Sequence, residues 1–196
     1  MPRETEIIAL HKKYAPSEAA FELVFTHCKI VWQITEQLIE KSNPDVDVTL
    51  IKAACLLHDI GVYHLYLPNG EIDHANYILH GTHGDKILQE EGFDETIRRF
   101  ASHHTGVGLS KQDVIDQNLP LVPADYLAET PEERLVMYAD KFHTKTTPPK
   151  FMTAKTYEAH IARFGGHKIL AFKKLQKEFG IPNLAPLIAK YHSELI

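Results

Sequence analysis

Hydrophobic residues recur at intervals of three and four along most of this chain, with polar residues between them. This spacing places apolar side chains on one face of a helix. The longest such run lies between residues 18 and 41, and no segment alternates with the period of two that a half-buried strand shows. The pattern therefore predicts an all-α fold.

Helix start and stop signals divide this pattern into segments, since Ser, Thr or Asp favours a helix start and Pro or Gly a stop. Helices are predicted at 3–14, 18–41, 75–91, 95–104, from 131 to Pro148-Pro149, beyond 151, and from Asp47 or Thr49 into His58. Residues 61–73 and 105–130 are predicted loops, the second with one helical turn around 110–116. We expect 1–147 to form the main bundle and 148–196 a helical extension packed on the same domain.

The composition is that of an ordinary globular protein, with 196 residues and 44% hydrophobic content, enough for one core. The formal net charge of -5 gives no general attraction to nucleic acid polymers or anionic membranes. The charged first residues lack a secretory leader, and no run approaches the ~20 apolar residues of a membrane span. Cys28 and Cys55 stand apart in apolar surroundings, which favours buried thiols. We expect a cytoplasmic monomer or homodimer.

Histidine is the exception, because the chain contains 13 of them. Histidine is the commonest metal ligand in proteins and a frequent acid–base group. His58 and Asp59 stand side by side at the end of an apolar helical stretch, where an unpaired buried carboxylate would be costly. A metal cation removes this cost by taking both side chains as ligands. A simple helix-end cap before Gly61 is the alternative.

Four more candidate ligands lie on or at the ends of predicted helices among apolar neighbours: His27, His80, His104 and Asp140. A single histidine of this kind is more often a hydrogen-bonded core residue. Several buried imidazoles with two carboxylates need shared partners, however, and metal ions supply them. A nitrogen and oxygen ligand set without thiolate suits a divalent metal such as Fe, Mn, Zn, Ni or Co. The site would enclose one metal or hold two that share a bridging carboxylate.

The order of these residues resembles that of the HD superfamily of metal-dependent phosphohydrolases. Residues 58–61 read HDIG, the signature of one large branch, and the resemblance covers about residues 20–145. The matching segments are His27 before an apolar helical face, His58-Asp59-Ile60-Gly61, His80 four residues before Gly84, His103-His104 before Thr105-Gly106, and Ala139-Asp140-Lys141. The resemblance implies an HD-domain helical bundle with a helical C-terminal extension.

The resemblance also implies how the ligands are shared, since relatives with all six positions often bind two metals. One metal would be held by His27, His58, Asp59 and Asp140, and the other by Asp59, His80 and His104, with Asp59 bridging. His103 is an alternate for His104, because adjacent residues on a helix point about 100° apart and the sequence does not separate them. His83 is the alternate for His80.

Two departures from the family pattern concern the substrate. Many HDIG proteins carry Lys directly after the Gly, near the substrate phosphate, but Val62 stands there. The GYP motif of cyclic-di-GMP phosphodiesterases is absent after His104, so cyclic-di-GMP hydrolysis is not assigned. Cations for a phosphate would come from Lys111, Lys141, Lys145, and Arg98 or Arg99. His143 either reaches the pocket or faces solvent, and His11, His160, His167 and His192 are expected at the surface or in packing.

The favoured function is hydrolysis of a small phosphate monoester or diester, with nucleotides among the candidates, by a metal-activated water. A metal lowers the pKa of its bound water towards neutrality, which provides the nucleophile. The predicted catalytic residues are Asp59, His58 and Lys141. Two alternatives are a di-iron HD-type oxygenase, and a non-catalytic metal-binding regulatory module whose extension forms a partner surface.

Overall fold

The computed structural model describes the whole chain, residues 1–196, and confirms the predicted all-α class. The helices are α1 (Glu4–Tyr14), α2 (Glu18–Ser42), α3 (Val48–Leu57), α4 (His80–Glu90), α5 (Glu95–Ser102), α6 (Lys111–Asp116), α7 (Pro131–Asp140), α8 (Ala154–Ile161), α9 (Gly166–Phe179) and α10 (Ala185–Tyr191). Three 3-10 helices lie at Ile60–Leu65, Tyr77–Leu79 and Ala162–Phe164. Two strands, β1 (Lys150–Phe151) and β2 (Glu194–Leu195), pair in parallel.

The predicted caps begin the helices that carry the site. The Ser17 side chain accepts a hydrogen bond from the first turn of α2, and Asp47 does the same for α3, which decides between Asp47 and Thr49. Thr130 and Glu133 form a capping box at the start of α7, with Pro131 as the first helical residue. Local sequence therefore determines where these three helices start.

Helix α7 ends earlier than the sequence predicts. The prediction that it continues to Pro148-Pro149 was wrong, because Asp140 is the last helical residue. The chain then folds back on itself, since the Met152 backbone N–H donates to the Phe142 carbonyl at 2.9 Å. This pairing between distant residues replaces further helix and turns residues 141–149 back towards the end of α7.

Two other boundaries also differ from the prediction. The segment 61–73 is not all loop, because most of the 3-10 helix Ile60–Leu65 falls within it. Helix α4 begins at His80 rather than at residue 75. The Asp73 carboxylate accepts hydrogen bonds from the backbone N–H groups of the next turn, and such local bonds compete with helix formation.

The core consists of two hydrophobic clusters that share helices α2 and α3. One cluster joins these helices to α7 and to the C-terminal helices through residues such as Tyr157, Phe172 and Leu187. The other joins them to α1, α4 and α5 through residues such as Ile87 and Ile97. The helices after residue 148 thus contribute to the same core as α2 and α7, while the division of the chain at residue 147 stays a prediction.

One 18-residue window, Val48–Leu65, has a mean hydropathy of 1.2, which is apolar enough for a membrane-spanning helix. In this fold 72% of the window is buried. It also divides into α3 and the 3-10 helix Ile60–Leu65. Its hydrophobicity is therefore accounted for by its place in the core.

Candidate metal centre

All six predicted ligands are buried and meet between the helices. They come from the middle of α2 (His27), the end of α3 (His58, Asp59), the start of α4 (His80), the residues after α5 (His104) and the end of α7 (Asp140). Their ligand atoms form two groups, and within each group the atoms lie within 4.8 Å of one another. We call His27, His58, Asp59 and Asp140 the carboxylate half, and Asp59, His80 and His104 the imidazole half. Asp59 belongs to both halves, as a bridging ligand would.

A close crossing of two backbones fixes Asp59 relative to His80. A Cβ atom on Gly61 would lie 2.0 Å from the His80 carbonyl oxygen and 2.2 Å from the Gly84 backbone nitrogen. A Cβ atom on Gly84 would lie 2.9 Å from the Ala101 Cβ on α5. Glycine, which has no Cβ, allows these approaches. The two motif glycines therefore bring three ligand-bearing segments together.

Backbone carbonyls orient three of the four histidine ligands. The distances from Nδ1 to the carbonyl oxygen are 2.7 Å from His58 to Cys55, 2.6 Å from His80 to Tyr77 and 2.8 Å from His104 to Phe100. A carbonyl oxygen only accepts hydrogen bonds, so each Nδ1 carries a proton and each Nε2 faces the centre. Histidine ligands are commonly oriented towards metals in this way.

In the imidazole half, this orientation turns the Nε2 atoms of His80 and His104 towards each other. His80 Nε2 and His104 Nε2 lie 3.0 Å apart with a lone pair on each. Burial lowers the pKa of His80 to about 3 and also lowers that of His104, so neither ring gains a second proton. The buried Asp59 Oδ1 faces both rings, 3.8 Å from His80 Nε2 and 3.5 Å from His104 Nε2, and has no hydrogen-bond partner. The residues present therefore fit a divalent cation.

Lys145 places its ammonium group inside the carboxylate half. Its Nζ lies 2.5 Å from Asp59 Oδ2, 3.1 Å from His27 Nε2 and 3.8 Å from Asp140 Oδ1. Burial opposes the charge on Asp59, but the neighbouring charges, Lys145 foremost, outweigh this effect, and the pKa of Asp59 lies well below its usual range. The carboxylate is therefore ionised and available as a ligand.

Lys141, which the sequence suggested as catalytic, is held by two hydrogen bonds. Its ammonium donates to Asp140 Oδ2 at 2.6 Å and to the His104 carbonyl at 2.8 Å, and 7% of its side chain is exposed. Both bonds go to residues of the metal centre. Because Oδ2 of Asp140 is bonded to Lys141, Oδ1 is left facing the other ligands. Lys141 therefore orients Asp140.

His143 lies beside His27, and the structure decides between its two predicted positions. The two rings stack with centroids 5.1 Å apart, and their Nδ1 atoms lie 2.9 Å apart. Burial lowers the pKa of His143 to about 2, so the ring is neutral. His27 needs a free Nε2 lone pair to bind metal, and its Nδ1 proton would then be donated to His143. From the sequence alone, both a pocket position and a solvent-facing position were open for His143.

The alternate ligands lie outside both halves. His103 has a ring nitrogen 3.3 Å from the Arg99 guanidinium. His83 packs edge-on against His64, with ring centroids 5.7 Å apart. His11 is also buried, where it contacts Tyr63 by a hydrogen bond of 2.8 Å, in line with the predicted packing role.

The centre opens into a cleft of about 470 Å³ that the C-terminal extension helps to line. Asp140, Lys141 and Lys145 line it from the metal side, whereas Lys111, Arg98 and Arg99 do not reach it. We call the lining residues contributed from α8 to the start of α9 the C-terminal wall: Tyr157, His160, Ile161, Arg163, Phe164 and Lys168. No motif marks these residues, and sequence reasoning did not place them at the site.

The helical fold and the two His and Asp groups define an HD-type domain, and comparison with known proteins agrees. A family model described as HD domain matches residues 24–145. An uncharacterized protein of Methanocaldococcus jannaschii is 38% identical, with 63% of this chain and 69% of that protein covered. The chain belongs to the HD domain family, which confirms the prediction from its motifs.

Solved structures share the fold. The HD domain of the L. monocytogenes phosphodiesterase PgpH is 16% identical with a TM-score of 0.53, covering 95% of this chain and 99% of that one. The same domain in complex with cyclic-di-AMP is 18% identical with a TM-score of 0.53, covering 96% and 98%. At this identity the likeness shows the fold alone.

Two further relatives are longer proteins, of which this chain spans less than half. They are tRNA (cytidine(56)-2'-O)-methyltransferases of Thermoplasma volcanium, 27% identical, and Picrophilus torridus, 31% identical. The chain covers 47% and 36% of their lengths. The methyltransferase name describes these whole proteins.

Proposed function

We propose that this protein is a metal-dependent phosphohydrolase that acts on a nucleotide or another small phosphate ester. The proposal rests on the two ligand groups, which share Asp59. Asp140 and Lys145 connect these groups to the cleft, since both line it. Imidazole and carboxylate ligands without thiolate suit two divalent metals from the group Fe, Mn, Zn, Ni and Co. Two metals with a bridging carboxylate suit phosphoryl transfer.

The carboxylate half and the imidazole half would each hold one metal. When bound, the metals would lower the pKa of a coordinated water and stabilise charge on the phosphoryl oxygens. The chain contributes ligand atoms that are already in position before substrate arrives. The Cys55 carbonyl holds His58, and the crossing at Gly61 holds Asp59, so these two of the three predicted catalytic residues act from fixed positions.

Lys145 is our candidate for binding the substrate phosphoryl group. It takes the role of the lysine that many HDIG proteins carry at the position of Val62. Its ammonium lies beside both carboxylates and lines the cleft, and no backbone carbonyl holds it. Lys141, in contrast, is fixed on Asp140 and on the His104 carbonyl. We therefore assign Lys141 a positioning role and give Lys145 the contact with phosphate oxygens.

A nucleotide is the first substrate class to screen. Support comes from the PgpH HD domain, which shares the fold and is described in complex with cyclic-di-AMP. The cleft of about 470 Å³ also falls in the size range of small-molecule sites. The proposed activity includes hydrolysis of phosphomonoesters and of phosphodiesters.

The test combines metal analysis with a screen of phosphate esters. Protein purified without added metal or chelator should contain about two equivalents of metal per chain, as a two-metal site requires. Asp59→Asn should lose most of the metal and all detectable hydrolysis while its circular dichroism stays helical. The matched control is Asp45→Asn, which changes an exposed carboxylate.

Three outcomes would count against the proposal. Hydrolysis at the wild-type rate by Asp59→Asn would remove the central role of the bridging carboxylate. Absence of metal even after metal is added back would overturn the metal centre. Oxygen uptake with reduced iron, without hydrolysis of any ester, would replace the hydrolase with an oxygenase.

A further inference from the structure

The C-terminal wall carries a cation that has no carboxylate partner. Three lysines that line the cleft have one, since Lys141, Lys145 and Lys168 each lie within 2.7 Å of a carboxylate oxygen. The other arginines of the chain, which are Arg3, Arg98, Arg99 and Arg134, also have a carboxylate partner, within 3.0 Å. Arg163 lines the cleft and hydrogen-bonds to a histidine instead. Its charge is therefore available to a ligand.

The Arg163 guanidinium is oriented without being neutralised. Its Cζ lies 4.6 Å from the centroid of the Phe164 ring, and its Nη2 donates to His160 Nε2 at 3.2 Å. A guanidinium has five N–H donors, so this one bond leaves most of them free. An oriented planar guanidinium matches the oxygens of a phosphate or carboxylate in a bidentate geometry.

Apolar side chains also line the cleft. Phe164 is 39% exposed, which is unusual for a large aromatic side chain, and it lines the same cleft as Ile161 and Val107. A cleft with apolar walls and a few placed charges is suited to a ligand that contains both a ring and anionic groups. A nucleotide has this chemistry.

Lys168 holds the wall against the segment that follows His104. Its Nζ donates to the Gly108 carbonyl at 2.7 Å and to Asp113 Oδ2 at 2.7 Å, and 10% of its side chain is exposed. The wall is thus tied to the metal-bearing part of the protein by the chain itself. The wall that carries Arg163 is therefore held against this segment before a ligand enters.

We propose that Arg163 binds a second anionic group of the substrate while the phosphoryl group to be hydrolysed lies at the metal centre. The inference rests on the proposed phosphohydrolase function and narrows its substrate class. It selects nucleotides with two separate phosphate groups, such as nucleoside bisphosphates and dinucleotides, over esters that carry one phosphate. Arg163 is then a specificity-determining residue, and Phe164 and His160 position it.

The test measures ligand binding by calorimetry in the metal-loaded protein, with methylene-phosphonate analogues that cannot be hydrolysed. The analogue of adenosine 3',5'-bisphosphate should bind about tenfold more tightly than the analogue of adenosine 5'-monophosphate, the gain expected for one charge-assisted contact. Arg163→Gln should remove this difference and leave binding of the monophosphate analogue unchanged. Arg163→Lys should restore part of it, because an ammonium keeps the charge but lacks the planar fork.

Lys174→Gln is the matched control, because it removes an exposed cation of the same extension that does not line the cleft. Equal losses in Arg163→Gln and Lys174→Gln would reduce the effect to net charge and overturn the proposal. Equal affinity of the wild type for the two analogues would also overturn it.

Measurements of binding and of turnover separate the Arg163 anion site from the proposed phosphohydrolase function. If Arg163 controls binding but no ester is hydrolysed, the proposed function fails while the anion site stands. If p-nitrophenyl phosphate is hydrolysed but Arg163→Gln binds both analogues like the wild type, the anion site fails alone.

Discussion

The carboxylate half and the imidazole half share Asp59, yet they balance charge in different ways. In the carboxylate half, Asp140 and Asp59 contact the ammonium groups of Lys141 and Lys145. In the imidazole half, two neutral rings face each other with Nε2 atoms 3.0 Å apart. The first half is therefore compensated by the chain itself, whereas the second depends on a metal cation. We expect the metal-free protein to keep the carboxylate half in order and to loosen at the imidazole half.

The two halves are also constructed differently. The carboxylate half lies on α2, α3 and α7, all of which contribute apolar side chains to the larger hydrophobic cluster. The imidazole half depends on the crossing at Gly61 and Gly84, where backbone meets backbone. Substitutions can therefore damage one half at a time, and the expected effects differ in kind.

The largest effect is expected from Gly61→Ala. A Cβ atom 2.0 Å from the His80 carbonyl oxygen forces the 3-10 helix Ile60–Leu65 away from α4, at a cost of about 4 kcal/mol or more in stability. The melting temperature should fall by about 8–16 °C, and His80 and His104 should lose their position relative to Asp59. Differential scanning calorimetry with metal analysis checks both. Gly166→Ala is the control, because nothing lies within 4 Å of its added Cβ. If Gly61→Ala kept the melting temperature and metal content of the wild type, the close backbone crossing at Gly61 would be contradicted.

The second largest effect is expected from Asp140→Asn, which removes one of two carboxylates from the carboxylate half. Hydrolysis should fall about a thousandfold or more, beyond the ~10–100-fold that follows loss of a partner outside the ligand set. The imidazole half should keep its metal, so metal analysis should find about one equivalent. Asp116→Asn, which changes an exposed carboxylate at the end of α6, should retain full activity. Loss of both metals would show that the halves do not load independently.

Lys145→Met tests the charge balance of the carboxylate half. Removing the ammonium leaves Asp59 without its nearest cation, and a buried charge that loses its partner costs about 3 kcal/mol. The melting temperature of chelator-treated protein should fall by about 6–12 °C, with a smaller fall once metal is bound. Lys155→Met, at an exposed lysine, should change neither value. Equal destabilisation with and without metal would refute compensation by Lys145.

The smallest of these effects is expected from His104→Gln, which disables the imidazole half and leaves the carboxylate half complete. We expect about one equivalent of metal and a loss of hydrolysis of about a hundredfold, since one metal still activates water. His103→Gln is the matched control, because it changes the adjacent imidazole that lies outside both halves. If His103→Gln proved the more damaging of the two, the ligand assignment would be reversed.

Helix caps and the His58-Asp59 pair are local features of the sequence, and they made the metal centre predictable. Ser17 and Thr130 cap their helices as predicted, and Asp47 is one of the two starts predicted for α3, so local sequence positions the helices that bring His27, His58 and Asp140 together. The His58-Asp59 pair was itself informative, because two polar residues at the end of an apolar helix need a shared partner.

The rest depends on contacts between residues that are distant in the chain. Helix α7 stops at Asp140 because the segment beyond it pairs with residues near Met152, and no local signal reports this. Lys145 enters the centre as a result of the same reversal. The C-terminal wall was missed because Arg163 and Phe164 match no motif and become part of the cleft only when α9 packs on α7 and α8 packs on α9.

The wall and the ligands occupy different stretches of the gene. The family match ends at residue 145, and the residues of the C-terminal wall begin at Tyr157. In a duplicated copy, mutation of the wall would alter which molecules enter the cleft while the inherited centre keeps its ligands. Proteins that descend from one ancestor can in this way come to differ in ligand specificity while they keep the same metal ligands.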